Sequence, residues 1–233
     1  MENKRKKIPL TVITHYIKSP IFILKSYLES IASGDLGVLN EDQKKYISVC
    51  LENTKKIAEI TERLILLIEI EENIYEMNRE MVDIFEVAKK SIEENGVLLR
   101  AGNTSVLIDE ATEPIFVLGD SDKVKDIFDS LINNSLKYKK SGKGVVRIDF
   151  KKRKSEVVCS IADNGIGVKE EEKDKIFDKF YRTQKAIEID PNSLGIELYI
   201  NKKIIESFGG KIWVENNEEG GATFVFSLLL YKN

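Results

Sequence analysis

The chain has 233 residues, of which 32% are charged and 42% are hydrophobic, and its formal net charge is −3. This composition is typical of a soluble protein with one or two domains, each large enough to hold a hydrophobic core. The charge balance is not basic enough to favour nucleic acid as a partner and not acidic enough to favour disorder.

The cysteines and the hydropathy pattern indicate a reduced compartment and no membrane insertion. Cys50 and Cys159 stand apart in apolar segments, without the spacing of a metal or redox motif. The sequence does not exclude one disulfide between them, but it favours a reduced, cytosolic protein. No apolar run approaches the ~20 residues of a transmembrane helix, and the basic residues Lys4 to Lys7 are not followed by a signal-peptide pattern. We therefore expect a cytoplasmic chain without a membrane segment.

The first predicted element is a helix over residues 8–33. Its apolar residues recur at steps of three and four, as in a helix that packs one face against a partner. They are Ile13, Ile17, Ile21, Leu24, Leu28 and Ile31. The only histidine, His15, lies roughly 200° around the helix from Ile13, so we expect it to face water. Pro20 should bend the helix just beyond it. A surface histidine without a role would fit this pattern equally well.

A second long helix follows a turn at Gly34 and Gly37, with Asn40 as its predicted N-cap. Its apolar seam has a heptad-like spacing and consists of Ile47, Cys50, Thr54, Ile57, Thr61, Leu64 and Ile68. Two long helices joined by a short loop predict an antiparallel hairpin. A hairpin alone buries only part of its apolar stripes, so we expect a homodimer in which two hairpins form a four-helix bundle.

The rest of the chain alternates between strands and helices. Strands are predicted at 82–84 (or a helix entry there), 105–108, 115–118, 145–150, 157–161, 211–215 and 222–230, with 145–150 and 157–161 paired. Helices are predicted at 85–100, 121–139, 170–178 and 194–208, and an irregular stretch at 181–193. The predicted fold class is α+β: a helical hairpin, then an α/β sandwich with a mixed sheet and helices on one face.

Three polar or aromatic segments are candidates for a binding site. Asp163-Asn164-Gly165-Ile166-Gly167 directly follows a strand, where glycines let the backbone approach a ligand and a carboxylate can accept hydrogen bonds. Asn134 and Lys137 share one face of a helix and could meet a metal and a phosphate. The segment Ile176 to Arg182 is apolar and aromatic. A plain turn, a solvated polar face and core packing are the respective alternatives.

Taken together and in order, these segments resemble the motifs of the sensor histidine kinases over nearly the whole chain. His15-Tyr16-Ile17-Lys18-Ser19-Pro20 resembles the H box of the phosphoacceptor hairpin. The other motifs resemble those of ATP-binding domains of the gyrase, Hsp90, histidine kinase and MutL superfamily. They are the N box at 129–138, the first glycine box at 163–167, the F box at 176–182 and the second glycine box at 193–198.

The resemblance implies a role for each matching residue. His15 would receive the γ-phosphoryl group of ATP, with Ser19 as a second catalytic residue, and pass it to an aspartate of a response regulator. Asp163 would accept from the adenine amino group, and Asn134 would ligate Mg²⁺. The remaining implied nucleotide-binding residues are Lys137, Tyr138, Gly165, Gly167, Phe180, Arg182 and Gly195. Residues 181–194 would form a mobile lid.

The implied organisation is a dimerisation and phosphoacceptor domain at 1–76 and an ATP-binding domain at 77–233. The implied cofactors are ATP and Mg²⁺, and the implied partners are a second copy of the chain and the receiver domain of a response regulator. The ATP-binding domain would swing to bring phosphate to His15. The chain can be the cytosolic part of a larger sensor.

The sequence departs from the family pattern at the H box, the N box and the second glycine box. Tyr16 replaces the usual acidic residue, and a tyrosine with a pKa near 10 is a poor base, which typically costs about 10²–10⁴-fold in rate. Ser130 replaces an asparagine. Ser193 and Glu197 replace glycines of the second glycine box. Two like unit charges 4 Å apart at an effective dielectric near 20 repel by about 4 kcal/mol, so Glu197 would weaken ATP binding unless it points to water.

Two hypotheses follow. The first is a dimeric ATP-dependent protein-histidine kinase that phosphorylates itself on His15, with activity lowered by Tyr16 and Glu197. The second is a catalytically degenerate relative that binds a response regulator or relays phosphate without using ATP efficiently. An ATPase clamp is disfavoured, because such members of the superfamily lack the histidine-bearing hairpin.

Overall fold

A computed structural model describes residues 10–72, 74, 78–109 and 113–231, without the side chains of residues 10–13 and 15. The chain divides into two compact units, Met1–Tyr75 and Glu76–Asn233. Across the part of the chain that the structure describes, no helix is both long and apolar enough to span a membrane.

The first unit is a pair of long helices, α1 (Leu10–Ala32) and α2 (Glu41–Glu71). Lys18 near the start of α1 lies 4.0 Å from Glu62 near the end of α2, so the two helices run antiparallel. Asn40 caps α2 as predicted, because its side chain accepts from the backbone N–H of Gln43 and the Gln43 side chain accepts in return. This reciprocal pair is a capping box. The predicted hairpin is confirmed.

Apolar side chains remain exposed on both helices of the hairpin. On α1 they include Ile17, Phe22, Ile23 and Leu24, and on α2 they include Val49, Ile57, Ile60 and Ile68. Buried side chains at the far end of α2 are Ile65, Leu66 and Leu67. The hairpin therefore leaves part of its apolar surface uncovered within one chain. The predicted solvent-facing His15 side chain and the predicted helix start at Ile8 lie outside the described residues.

The second unit contains a two-stranded ribbon and a five-stranded sheet. Strands β1 (Glu80–Asp83) and β3 (Phe116–Gly119) form the antiparallel ribbon. The sheet has the order β2-β4-β5-β7-β6, with β2 (Thr104–Ile108), β4 (Gly144–Lys152), β5 (Glu156–Asp163), β6 (Lys211–Asn216) and β7 (Ala222–Leu229). β2 runs parallel to β4 and the other pairs are antiparallel. The predicted mixed sheet and the pairing of β4 with β5 are confirmed.

Helices α3 (Ile84–Glu94), α4 (Gly96–Ala101), α5 (Ser121–Lys137), α6 (Gln184–Ile189) and α7 (Glu197–Ser207) complete the unit. Asp120 caps α5 by accepting from the backbone N–H groups of Asp122 and Lys123. The core lies between the sheet and α5 and α7, where fully buried side chains include Phe128, Leu131, Ile148, Ile161, Ile204 and Phe226. Phe128 and Phe226 meet edge to face, with ring centroids 5.6 Å apart.

Three predicted elements are wrong in detail. The single helix at 85–100 is two helices that meet at Asn95, whose side chain donates to Ser91 O and to Asp129. The helix at 170–178 is two 3₁₀ turns, Glu170–Glu172 and Lys175–Phe177. Only Ile176 and Phe177 are buried there, so the segment anchors one turn rather than a helical stripe. The irregular stretch at 181–193 contains α6.

The two cysteines occupy opposite environments. Cys50 is exposed on α2, Cys159 is buried in β5, and both thiols are free. Burial raises the pKa of the Cys159 thiol well above its usual value.

Candidate functional site

A cleft in the second unit is bounded by the end of α5, the end of β5 and the start of α7. It holds about 850 Å³ of empty space, counting the part that is open to solvent. Apolar lining side chains include Ile166, Val168, Ile176, Leu198 and Phe224. The polar and charged lining residues include Asn134, Lys137, Tyr138, Asp163, Arg182 and Glu197. A mainly apolar wall with a few polar groups is typical of a ligand site.

Asp163 is the last residue of β5, and the fold holds its carboxylate in place. Its Oδ1 accepts from the backbone N–H groups of Gly165 at 2.8 Å and Ala222 at 3.1 Å. The residue is buried, with 8% of its surface exposed, and burial raises its pKa above the usual value although these hydrogen bonds oppose the shift. A buried acceptor that lines a cleft can bind an N–H group of a ligand.

The glycines that follow Asp163 are required by close backbone contacts. A Cβ at Gly165 would lie 2.6 Å from the carbonyl oxygen of Tyr138, which accepts from the N–H of Ile166 at 3.1 Å. The loop therefore packs directly on the end of α5. Gly167 also lines the cleft.

Lys137 and its neighbours bring polar groups from α5 to the cleft. Asn134 and Lys137 lie one turn apart and both line it, as does Tyr138. The Lys137 ammonium lies 2.8 Å from the carboxylate of Asp190, just after α6, and this contact holds the pKa of Asp190 below its usual value. Lys137, which was predicted to lie near phosphate, is thus paired with the carboxylate of Asp190 in this structure.

Arg182 fastens the segment that contains α6. Its guanidinium donates to the carbonyl oxygens of Ala186 at 2.8 Å and Pro191 at 3.3 Å, and to that of Asp190. Its Nε is buried and finds no hydrogen-bond acceptor within the described part of the chain. An unsatisfied buried donor costs about 1–3 kcal/mol, so this position favours a ligand or rearrangement that supplies an acceptor.

Gly195 and Glu197 lie where the chain enters α7. Gly195 has a positive φ of 69°, and a Cβ there would lie 2.7 Å from Tyr181 O, so this position requires glycine. Glu197 is the first residue of α7 and lines the cleft. A carboxylate in the first turn is stabilised by the positive end of the helix dipole, which is also where a phosphate would bind.

The structure does not bring every predicted site residue to this cleft. Phe180 is 55% exposed, and it is not among the residues that line the cleft. Its N–H donates to Gly195 O at 2.9 Å. Ser19 is half-buried on α1 in the first unit. His15 belongs to α1, but its side chain is among those not described.

The turn between β6 and β7 contains contacts to the site that the sequence did not predict. Asn217 donates to Asp163 O at 2.8 Å, and a Cβ at Gly221 would lie 1.9 Å from the same oxygen. The predicted strands at 211–215 and 222–230 leave a connection that contains Gly220 and Gly221, but its approach to Asp163 depends on the pairing of strands that are far apart in sequence.

No cluster of three or more His, Cys, Asp or Glu side chains that could hold a metal ion occurs within the described ranges. Magnesium commonly binds through one or two protein ligands together with substrate phosphates. An amide oxygen such as that of Asn134 fits such a role only if a phosphate is bound beside it.

Comparison with known proteins supplies the context for this cleft. Residues 119–232 match the family model described as histidine kinase-, DNA gyrase B-, and HSP90-like ATPase. The chain is 30% identical, over 98% of its length, to sensor protein kinase WalK of Staphylococcus saprophyticus, and it spans 37% of that protein. It has the same identity to a WalK of Staphylococcus aureus and spans 54% of it. The chain thus corresponds to only part of these relatives.

Solved structures share the fold. The full-length ShkA structure in complex with AMPPNP superposes with a TM-score of 0.81 at 17% identity, covering 96% of this chain and 46% of that one. The histidine kinase AdeS of Acinetobacter baumannii gives 0.63 at 22% identity, covering 94% of this chain and 98% of that one. The catalytic domain of histidine kinase ThkA gives 0.58 at 26% identity, covering 66% of this chain and 98% of that one.

Proposed function

This chain is a homologue of the sensor histidine kinases, and we propose its function from the match of residues 119–232 to the family of histidine kinase-, DNA gyrase B- and HSP90-like ATPases. We propose that the chain is the core of a two-component histidine kinase, which transfers the γ-phosphoryl group of ATP to His15 and then to an aspartate of a response regulator. The observation that carries the proposal is the buried Asp163 acceptor in a cleft within the matched region.

The cleft residues fit a nucleotide. Asp163 accepts from the adenine amino group, and the apolar wall with Ile166 and Leu198 buries the base. Lys137 and Arg182 both line the cleft and neutralise phosphate charge, and Arg182 Nε supplies a donor that has no acceptor among the residues that the structure describes. Asn134 is the proposed ligand for Mg²⁺, which supplies further neutralisation of the phosphates when bound. Phosphoryl transfer depends mainly on such positioning and electrostatic stabilisation.

The chemistry at His15 is a displacement at phosphorus. A bond forms between a ring nitrogen of His15 and the γ-phosphorus, the bond to the β,γ-bridging oxygen breaks, and ADP leaves with that electron pair. The imidazole loses its proton in the process. Tyr16, which is 74% exposed and follows His15 in sequence, is a poor acceptor for this proton, since a phenol hydroxyl is a much weaker base than a carboxylate.

The proposed partners and location follow from the same homology. A second copy of the chain covers the exposed apolar side chains of α1 and α2, and the receiver domain of a response regulator accepts phosphate from His15. The chain works in the cytoplasm, where ATP is available.

The second candidate function is a degenerate relative that serves as a phosphotransfer or regulatory scaffold. Glu197 in the cleft lining and Tyr16 after His15 favour it, because the first competes with phosphate and the second removes a base. The two candidates differ in the rate of autophosphorylation that they predict for the chain.

Incubation of the full chain with γ-labelled ATP and Mg²⁺ tests both candidates. The kinase proposal expects label on the chain that is lost in His15→Gln, at a rate that Tyr16→Glu raises by about 10²-fold or more, the usual value of a general base. Label that persists in His15→Gln would contradict His15 as the acceptor. Absence of label in both the parent and Tyr16→Glu would favour the scaffold.

A further inference from the structure

The loop that contains the first glycine box, residues 163–168, is held at both ends by two adjacent asparagines, one at the end of β6 and one at the start of the β6–β7 turn. At its far end, the Asn216 side chain accepts from Val168 N at 2.9 Å and donates to Val168 O at 2.7 Å. At its near end, the Asn217 side chain donates to Asp163 O at 2.8 Å. The two amides thus hold the loop that follows β5 against a turn that is about fifty residues away in sequence.

Asn217 also organises its own turn. Its side-chain oxygen accepts from Gly221 N at 2.9 Å, and its backbone N–H donates to Gly221 O at 3.1 Å. The next residue, Ala222, donates its N–H to Asp163 Oδ1 at 3.1 Å. The Asn217 side chain therefore binds the backbone carbonyl of Asp163. It also shapes the turn that brings the N–H of Ala222 to the Asp163 carboxylate.

The approach of this turn to Asp163 leaves no room for adjustment. A Cβ at Gly221 would lie 1.9 Å from Asp163 O, so the backbones of the two segments are in direct contact. Lys140 secures the turn from the other side, since its ammonium donates to Glu219 O at 3.3 Å and Gly220 O at 3.2 Å.

We propose that Asn217 is a positioning residue that sets the selectivity of this site for adenine, by fixing the direction of the Asp163 carboxylate. This inference rests on the proposed nucleotide function of the cleft. The two backbone hydrogen bonds both reach Oδ1, and the Ser135 side chain is a further hydrogen-bond partner of the carboxyl. Because a carboxylate has about four lone-pair sites on its two oxygens, it keeps acceptor capacity for the 6-amino group of an adenine. A carboxylate held in one orientation discriminates against a 6-oxo purine, whose oxygen is itself an acceptor. A carboxylate that can turn discriminates less.

The test compares the binding of ATP and inosine triphosphate, which differ at the purine 6-position, to the full chain by calorimetry. Asn217→Asp keeps the acceptor for Gly221 N but loses the donor to Asp163 O. The dissociation constant for inosine triphosphate divided by that for ATP is expected to fall about threefold to tenfold, the usual value of one hydrogen bond. Asn216→Asp is the matched control, because it adds the same charge one residue earlier in the chain, at the end of β6. It is expected to leave the ratio unchanged while weakening both nucleotides.

The readout separates this role from a general structural one. Loss of stability alone weakens both nucleotides together, so a fallen ratio in Asn217→Asp with a kept ratio in Asn216→Asp supports the proposal. Asn217→Ser, which adds no charge, should show the same fall and serves if Asn217→Asp does not fold. An unchanged ratio in a folded Asn217 variant, or an equal fall in Asn216→Asp, overturns the proposal. A parent chain that binds ATP and inosine triphosphate equally overturns adenine recognition itself, and with it the proposed function of the cleft.

Discussion

Glu197 places a carboxylate at the N-terminus of α7, on the lining of the cleft. A helix N-terminus attracts phosphate through its free N–H groups and its dipole. The same carboxylate stabilises α7 when nothing is bound and repels a triphosphate when one arrives. At the scale of single residues, affinity for nucleotide and stability of this helix are therefore in opposition.

Glu197→Gln is expected to lower the dissociation constant for ATP by about tenfold. A separation of about 8 Å at an effective dielectric near 20 gives about 2 kcal/mol of repulsion, which salt reduces further. Calorimetric titration measures the change, with Glu206→Gln near the other end of α7 as the control. An unchanged dissociation constant in Glu197→Gln would show that the carboxylate does not meet the phosphates.

Asp163 predicts a pH dependence of stability. Burial raises its pKa in the folded chain, so its contribution to stability is full below the unfolded value of about 3.9 and is lost as pH rises through the folded pKa. Asp163→Asn removes this cost and can still accept the two backbone hydrogen bonds. Its melting temperature relative to the parent is expected to be higher at pH 7 than at pH 4, while ATP binding weakens at least about tenfold.

Thermal denaturation at the two pH values checks the sign, with Asp122→Asn on the exposed first turn of α5 as the control. A relative melting temperature for Asp163→Asn that is greater at pH 4 than at pH 7 would contradict the raised pKa. Unweakened ATP binding would contradict the role of Asp163 in the site.

The sequence predicted Asp163 but not the residues that hold it. A carboxylate between a strand and two glycines is a local signal, visible within five residues. Asn217 and Gly221 act through the pairing of β5 with β7, and their partners lie more than fifty residues away. No periodicity or turn rule connects residues at that distance, so the support of the site became visible only in the folded chain.

At the scale of elements, the segment with α6 is tied to α5 by the ion pair between Lys137 and Asp190. Arg182 ties the same segment to itself through three carbonyl oxygens. Both cations are proposed to meet phosphate, so a nucleotide and the segment compete for them. Binding of nucleotide should therefore be linked to release of α6.

Asp190→Asn is expected to loosen this segment and to tighten ATP binding by up to about fivefold, since an exposed ion pair contributes about 0.2–1 kcal/mol. Hydrogen exchange should rise in residues 184–190. Because Lys137 holds the pKa of Asp190 below its usual value, the contribution of the ion pair to stability is full above the unfolded value of about 3.9 and is lost as pH falls through the folded pKa.

Glu188→Gln is the control for that experiment, because Glu188 lies on α6 and is exposed. Faster exchange in Glu188→Gln equal to that in Asp190→Asn would mean that any lost charge loosens α6. Unchanged exchange in Asp190→Asn would mean that the ion pair does not restrain the segment.

Elements with caps and long apolar stripes were predictable, and short ones were not. The Asn40 cap predicted the correct start of α2, and α5 begins at Ser121 as predicted, where Asp120 caps it, because a cap is a local signal. α6 spans six residues, too few for a periodic pattern, although Thr183 caps it by accepting from Ala186 N. The charged segment at 170–178 has the composition of a helix, but only Ile176 and Phe177 are buried there. With so little surface to bury, the segment forms two short 3₁₀ turns instead of a helix.

At the scale of the whole molecule, the proposed acceptor His15 belongs to one unit and the cleft to the other. Transfer of phosphate requires a state in which both meet, so the proposed kinase depends on contact between the two units. The hairpin also exposes apolar residues on both of its helices. We therefore expect it to need a second pair of helices to cover them.

Ile57→Glu is expected to convert a dimer into a monomer, because Ile57 is 51% exposed on the seam of α2 and a charge there would be buried in a four-helix bundle. Light scattering on the full chain at micromolar concentration measures the mass. Val97→Glu, at a 69% exposed apolar residue of α4, is the control and should leave the mass unchanged. A monomeric parent, or a dimer that survives in Ile57→Glu, would contradict the proposed bundle.

Cys50 lies one heptad before Ile57 on the seam of α2, so the reactivity of its thiol reports on the pairing of the hairpins. Within one chain Cys50 is exposed and Cys159 is buried. A maleimide should therefore modify Cys50 and not Cys159 in a single chain, without any engineered substitution. In the proposed bundle a second hairpin would cover the Cys50 thiol, and the rate of its modification would then follow the exchange of hairpins between chains.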